Sequence, residues 1–152
     1  SRVIPQEYNS LWQVIFGAIK KFITPDTTMS DIKIASFCKA IQDHEGWFDG
    51  SRSWRNNNPG NLRWCGQTLA IGKDDKNFAV FKTYNDGFTT LKNMIRNAAS
   101  GKSTVYNPNM TIAQFFAIYA PSEDNNDPGL YAQIVAKAIG ANVSMPIKNL
   151  LA

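Results

Sequence analysis

Helix-start and helix-stop signals recur along this chain and leave little room for anything but helices. Ser30 stands as a cap before an apolar-periodic stretch that stops at Gly46, and Asp86 opens another that stops at Gly101. Thr111 and Gln114 have capping-box spacing ahead of a run halted by Pro121. Asp127 as cap with Pro128 at the first helical position begins the last long helix, closed by Gly140. Leu11, Ile15, Ile19, Phe22 and Ile23 predict a first amphipathic helix over about residues 7–23, ended by Thr24-Pro25-Asp26. The stretch from Phe48 to Asn61, rich in Ser, Asn, Gly and Pro, reads as loop. Only Leu62–Cys65 and Phe78–Thr83 read as strands, joined through a polar Lys73–Asn77 turn into a small hairpin. No βαβ alternation appears, so the expected class is α+β, mostly helical. The tail after Val143 carries no clear signal.

The 152 residues suit one domain with a core of its own, and 43% hydrophobic content excludes a disordered chain. No apolar run approaches the roughly 20 residues of a membrane span. Lys20 and Lys21 follow the short apolar stretch Leu11–Ile19, whereas a signal peptide carries its cations first. Export is therefore expected from another segment or route. The net charge of +4 favours an anionic partner. The basic residues are dispersed, not gathered in a stripe along one helix, which argues against nucleic acid. Cys38 and Cys65 are too far apart for a zinc or redox motif; Cys38 reads as a buried free thiol, with a Cys38–Cys65 bridge left open.

The acids are lopsided: nine Asp but only Glu7, Glu45 and Glu123. On the helix over about residues 31–45, Ile34, Phe37, Cys38 and Ile41 make the apolar stripe, and the next position on it is Glu45. A carboxyl there is partly desolvated and faces the negative end of the helix dipole. Both effects keep its proton on near neutral pH, as a general acid requires. The competing reading is a helix-end glutamate turned to solvent, or paired with Arg52 or Arg55. Around Glu45 lie Trp47, Phe48, Trp54 and Trp64, with the run Asn56-Asn57-Asn58-Pro59-Gly60-Asn61. Aromatic faces beside amides suit sugar rings and N-acetyl groups. Taken singly, each tryptophan fits a core position better and Asn-Pro-Gly fits a turn, but the whole cluster directly after a stripe-facing glutamate reads as a site.

Glu45-Gly46, Arg55-Asn56-Asn57-Asn58-Pro59-Gly60-Asn61-Leu62-Arg63, Phe78-Ala79-Val80-Phe81 with Asp86-Gly87-Phe88, and Tyr119-Ala120-Pro121-Ser122-Glu123-Asp124-Asn125 resemble the lysozyme-like superfamily. The similarity is to its phage-type lytic transglycosylases and virion-associated muralytic domains. It covers roughly residues 30–140, with residues 1–26 outside it, in a single domain over 1–152. The resemblance implies a substrate cleft holding peptidoglycan glycan strands, with Glu45 as the catalytic acid that cleaves the MurNAc–GlcNAc β-1,4 bond. It also implies that Tyr119 faces Glu45, and from this Tyr119 is expected to set its hydroxyl on that carboxyl; it reads equally as an anchor of its helix end. Asn58 and Asn61 are the amides expected to line the cleft, with Trp54, Tyr119 and Asn125 as further substrate contacts. Action at the bacterial cell wall, in the periplasm, follows from the same resemblance, as does membership of a larger virion assembly. In isolation the domain is expected to be a monomer.

A glycosidase normally pairs two carboxyls, about 5–5.5 Å apart for retention or about 6.5–9.5 Å for inversion. Lytic transglycosylases, as the resemblance implies, use one Glu as acid and then base and give a 1,6-anhydro sugar. Asp49, Asp74, Asp75 and Asp86 are the candidate partners, none as well placed as Glu45. A one-glutamate transglycosylase is therefore the first expectation, then a muramidase with an Asp partner, then an inactive wall-binding module of a phage particle. His44 lies about 100° round the helix from Glu45 and points elsewhere. The acidic run Glu123–Asp127 lacks calcium-loop spacing, and no metal or organic cofactor is implied.

Overall fold

The computed structural model describes residues 27–152. The helix expected over 7–23 lies outside the described residues. The rest is mostly helical with one small antiparallel sheet, an α+β arrangement.

Helix α1, Met29–His44, begins two residues earlier than its sequence suggested. Thr28, not Ser30, is the cap: its hydroxyl accepts from Asp31 N at 3.1 Å, and its own N–H donates to Asp31 Oδ2 at 3.0 Å. Only Thr28 has an acid three residues on to return the bond, and the reciprocal pair decides the start. Ile34, Phe37, Cys38 and Ile41 are fully buried along one face. Glu45 caps the far end, and Gly46, at φ +76°, turns the chain away.

The loop that follows contains a single helical turn, α2, Arg52–Arg55, capped by Ser51. The hairpin is displaced from its expected position. Strand β1 is Ala70–Lys73 and β2 is Ala79–Phe81, with Lys73 opposite Ala79, Ala70 opposite Phe81 and a bulge between Ala70 and Gly72. The turn does fall at Asp74–Asn77: Asp74 Oδ1 accepts from Lys76 N and Phe78 N, both at 2.9 Å, and Asn77 takes φ +68°. A turn this tight pairs the residues immediately flanking it, so β1 could not begin as far back as Leu62. Leu62–Trp64 is held against the hairpin in another way, by Ala79 N donating to Leu62 O at 2.9 Å and Trp64 N to Asn77 O at 2.8 Å.

Helix α3, Tyr84–Ser100, is capped by Thr83 and ended by Gly101 at φ +86°. Helix α4, Ile112–Tyr119, carries the expected Thr111–Gln114 capping box and stops before Pro121. A 3-10 turn at Ser122–Asp124 leads to α5, Pro128–Ala138, capped by Asp127. The tail folds back: Ile112 N donates to Met145 O and Ala113 N to Val143 O, both at 3.0 Å, and a 3-10 segment at Ile147–Leu151 closes the core. The centre of that core is aromatic. Phe37 of α1 stacks on Phe116 of α4, and Phe116 stacks on Tyr131 of α5 with ring centroids 4.4 Å apart. Cys38 is buried and Cys65 exposed, and both are free thiols, so the bridge between them is not formed.

Candidate functional site

Glu45 sits where the buried stripe of α1 meets the surface. Its Oε1 accepts a hydrogen bond of 3.0 Å from the hydroxyl of Tyr131, a residue only 1% exposed. Burial raises the Glu45 pKa, and the Tyr131 bond, which favours the carboxylate, offsets part of that rise. The His44 ring lies 4.0 Å from the Tyr131 ring, centroid to centroid, and desolvation lowers its pKa. The core therefore holds a protonatable carboxyl from below through α5, and leaves its other side to a cavity.

That cavity has a volume of about 370 Å³. Glu45 lines it with Asn61, Arg63, Phe78, Tyr119 and Asp124, so α1, the asparagine loop, the hairpin turn, α4 and the 3-10 turn all contribute walls. Arg63 lies over the Phe78 ring, 4.6 Å from its centroid.

The structure separates the sequence-predicted residues into wall and scaffold. Asn61 is wall. It holds φ +48°, a conformation asparagine tolerates, and its side-chain Oδ1 is buried with no hydrogen-bond partner among the described residues. Asn58, expected beside it, is wholly buried. Its amide donates to Leu62 O and Ala79 O and accepts from Leu62 N, all at 2.9 Å. Every polar atom of that side chain is committed to holding the loop on β2, so it is not a cleft residue. Asn56 and Asn57 are scaffold too, donating to Asp74 Oδ2 at 2.9 Å and to Phe81 O at 3.1 Å.

Tyr119 lines the cavity, but its hydroxyl donates to Gly60 O at 2.7 Å and not to Glu45. Burial pushes its pKa well up, so it is a neutral donor pinning the Pro59-Gly60 turn. Space there is tight: a Cβ on Gly60 would lie 2.9 Å from Leu91 Cδ1 and 3.1 Å from Tyr119 Oη, so those side chains would have to give way. Trp54 is 42% exposed on α2 and does not line the cavity. Asn125 is exposed in a left-handed conformation, and its neighbours Asp124 and Asn126 face the cavity in its place.

None of the four expected Asp partners lines the cavity either. Against a desolvation that would raise it, Asp74 is held down to about 2 by bonds from Asn56, the Phe78 and Lys76 N–H groups and Arg52. The second cavity carboxyl is Asp124. Sequence reasoning passed over it as part of a polar loop. Tyr131 was missed as well, although it shares the buried face of α5 with Val135, four residues on.

A larger groove of about 790 Å³ runs between α1 and α3. Two of its cations are paired with its two acids, Arg96 with Asp31 at 2.8 Å and Lys39 with Asp43 at 2.5 Å, while Lys92 lies over the Phe88 ring, 5.4 Å from its centroid; Asp31 has a lowered pKa. It offers no proton donor comparable to Glu45. Among the described residues no cluster of three His, Cys, Asp or Glu side chains is placed to hold a metal ion. No protein-family model, curated protein or solved structure matches this chain.

Proposed function

We propose that this chain degrades peptidoglycan, cleaving the MurNAc–GlcNAc β-1,4 bond as a lytic transglycosylase, with the 370 Å³ cavity as part of the substrate cleft of a lysozyme-like fold. The observation that carries the reading is Glu45. It is a carboxyl with a raised pKa, oriented by a buried tyrosine and opening on a cavity walled by an unpartnered amide. Such a group protonates the glycosidic oxygen as the bond to the anomeric carbon breaks. Left as carboxylate, it takes the proton of the MurNAc 6-hydroxyl while that oxygen closes on the anomeric carbon, giving the 1,6-anhydro product. Asn61 Oδ1 is enclosed in the cavity wall without a partner, and it accepts a substrate N–H or O–H once that wall parts to admit one. The wall of the bacterial envelope is the place of action on this reading.

A second reading rests on Asp124. A carboxylate in the same cavity as the acid is what a hydrolase needs, to activate water or to stabilise the glycosyl cation. Mass spectrometry of the digest separates the two. Anhydro-muropeptides, with activity retained in Asp124→Asn, support the transglycosylase; reducing ends carrying water, with activity lost in that variant, support the hydrolase. Glu45→Gln is expected to lower turnover by about a hundredfold to ten-thousandfold, since it removes the proton donor and keeps the shape. Peptidoglycan zymography in which the native chain clears nothing over a range of pH and salt would leave an inactive wall-binding module.

A further inference from the structure

Next to the Glu45 cavity, on the far side of Met94, lies a separate groove of about 400 Å³; Met94 lines both. Its chemistry differs from that of its neighbour. Thr68, Asn93, Asn97, Thr104 and Lys102 line it, and no acidic side chain does. The side chains of Asn93, Asn97, Thr68 and Thr104 make no hydrogen bond within the described residues, and Lys102 pairs with no carboxylate there. These are exposed donors and acceptors on rigid supports. Asn93 and Asn97 stand one helical turn apart on α3, on one face. Lys102 follows the left-handed Gly101 that ends α3, and its N–H and that of Ser103 both bond Asn97 O, at 3.0 and 3.2 Å, which fixes the loop that carries the lysine.

We infer that this groove is a subsite for an anionic, amide-rich branch of the substrate, the peptide stem of peptidoglycan, while the sugar ring occupies the Glu45 cavity. The inference rests on the peptidoglycan reading above. A stem carries free carboxylates for Lys102, and backbone amides that match the donor-and-acceptor pattern of two asparagines and two threonines. A strand stripped of its stems keeps only the lactyl carboxylate, held close against the MurNAc ring, and has neither the stem's outlying carboxylates nor its backbone amides. Met94 is the wall between the two spaces, so they lie one side chain apart and a branched ligand can place its sugar in one and its stem in the other.

The test is binding, measured on the full chain carrying Glu45→Gln so that strands stay intact. Glycan strands bearing stems are compared with strands stripped by an amidase, with and without Lys102→Glu. Stem-bearing strands are expected to bind about fivefold more tightly, as one exposed ion pair allows. Lys102→Glu should abolish or reverse that preference while leaving the affinity for stripped strands unchanged, and raising the salt should shrink it. Equal affinity for both strands, a preference that survives Lys102→Glu, or no binding of either overturns the subsite. The glycosidase reading fails on a different result: stem preference intact, but no cleavage by the chain with its native Glu45.

Discussion

Two asparagines three residues apart, Asn58 and Asn61, show how little residue type says about role. Asn58 satisfies three buried backbone groups, whereas Asn61 leaves its own Oδ1 unsatisfied at the cavity wall. An orphaned buried polar group costs about 1–3 kcal/mol, so the two positions should respond to substitution in opposite ways. Asn58→Ala strands Leu62 N and Ala79 O, while Leu62 O keeps its bond from Ala79 N, and is expected to cost at least about 2 kcal/mol in a denaturant melt. Asn61→Gly keeps the left-handed backbone accessible and removes an unsatisfied atom. Its stability should stay within about 1 kcal/mol of the parent. Its KM for glycan strands should rise about tenfold, the worth of one hydrogen bond to substrate. A destabilised Asn61→Gly with unchanged KM would move that residue into the scaffold.

At the scale of elements, the loop and helix α3 are locked by contact between backbones. A Cβ on Gly87 would sit 1.9 Å from Asn57 O, so only glycine lets the first turn of α3 reach the asparagine loop. Gly87→Ala must push that loop and its Gly60 turn away from α3, at an expected cost of about 3 kcal/mol or more by calorimetry. Activity should fall further than stability accounts for, because the Asn61 wall moves with the loop. Much of this level was legible beforehand. Caps and stops are local chemistry, so Thr111–Gln114, Asp127-Pro128 and Gly101 marked their helices from the sequence. Strand β1 was not legible. Gly72 and Lys73 have little strand preference, and Ile71 faces outward at 67% exposure; the Asp74–Asn77 turn and β2 hold the segment extended. The site divides in the same way. Glu45 showed in the sequence because the helix period placed it on the buried stripe. Tyr131 did not, because its partner lies 86 residues away and only tertiary packing joins them.

For the whole molecule, the aromatic column Phe37–Phe116–Tyr131 ties α1, α4 and α5 together and ends on the Glu45 carboxyl. The core is thus built up to a group that destabilises it when charged. Burial raises the folded-state pKa of Glu45 above the roughly 4.3 of an unfolded chain. Between those two values the folded protein keeps a proton that the unfolded chain has lost, so Glu45 lowers stability as pH rises through that interval. The penalty is absent below the unfolded pKa and complete above the folded one. Glu45→Gln retains the acceptor for Tyr131 and cannot ionise, so its melting temperature should match the parent near pH 4, draw ahead as pH rises toward the folded pKa of Glu45, and hold a constant lead above it. Parallel melts across that range check this; an offset constant over the whole of it would mean that Glu45 ionises in the fold as freely as in water. Tyr131→Phe makes the complementary case. It removes the bond that favours the carboxylate, so the Glu45 pKa rises further, and the alkaline fall in kcat/KM moves to higher pH. An acid limb shifted downward instead, or a profile unmoved, would detach Tyr131 from the titrating group and return it to a purely structural role in the core.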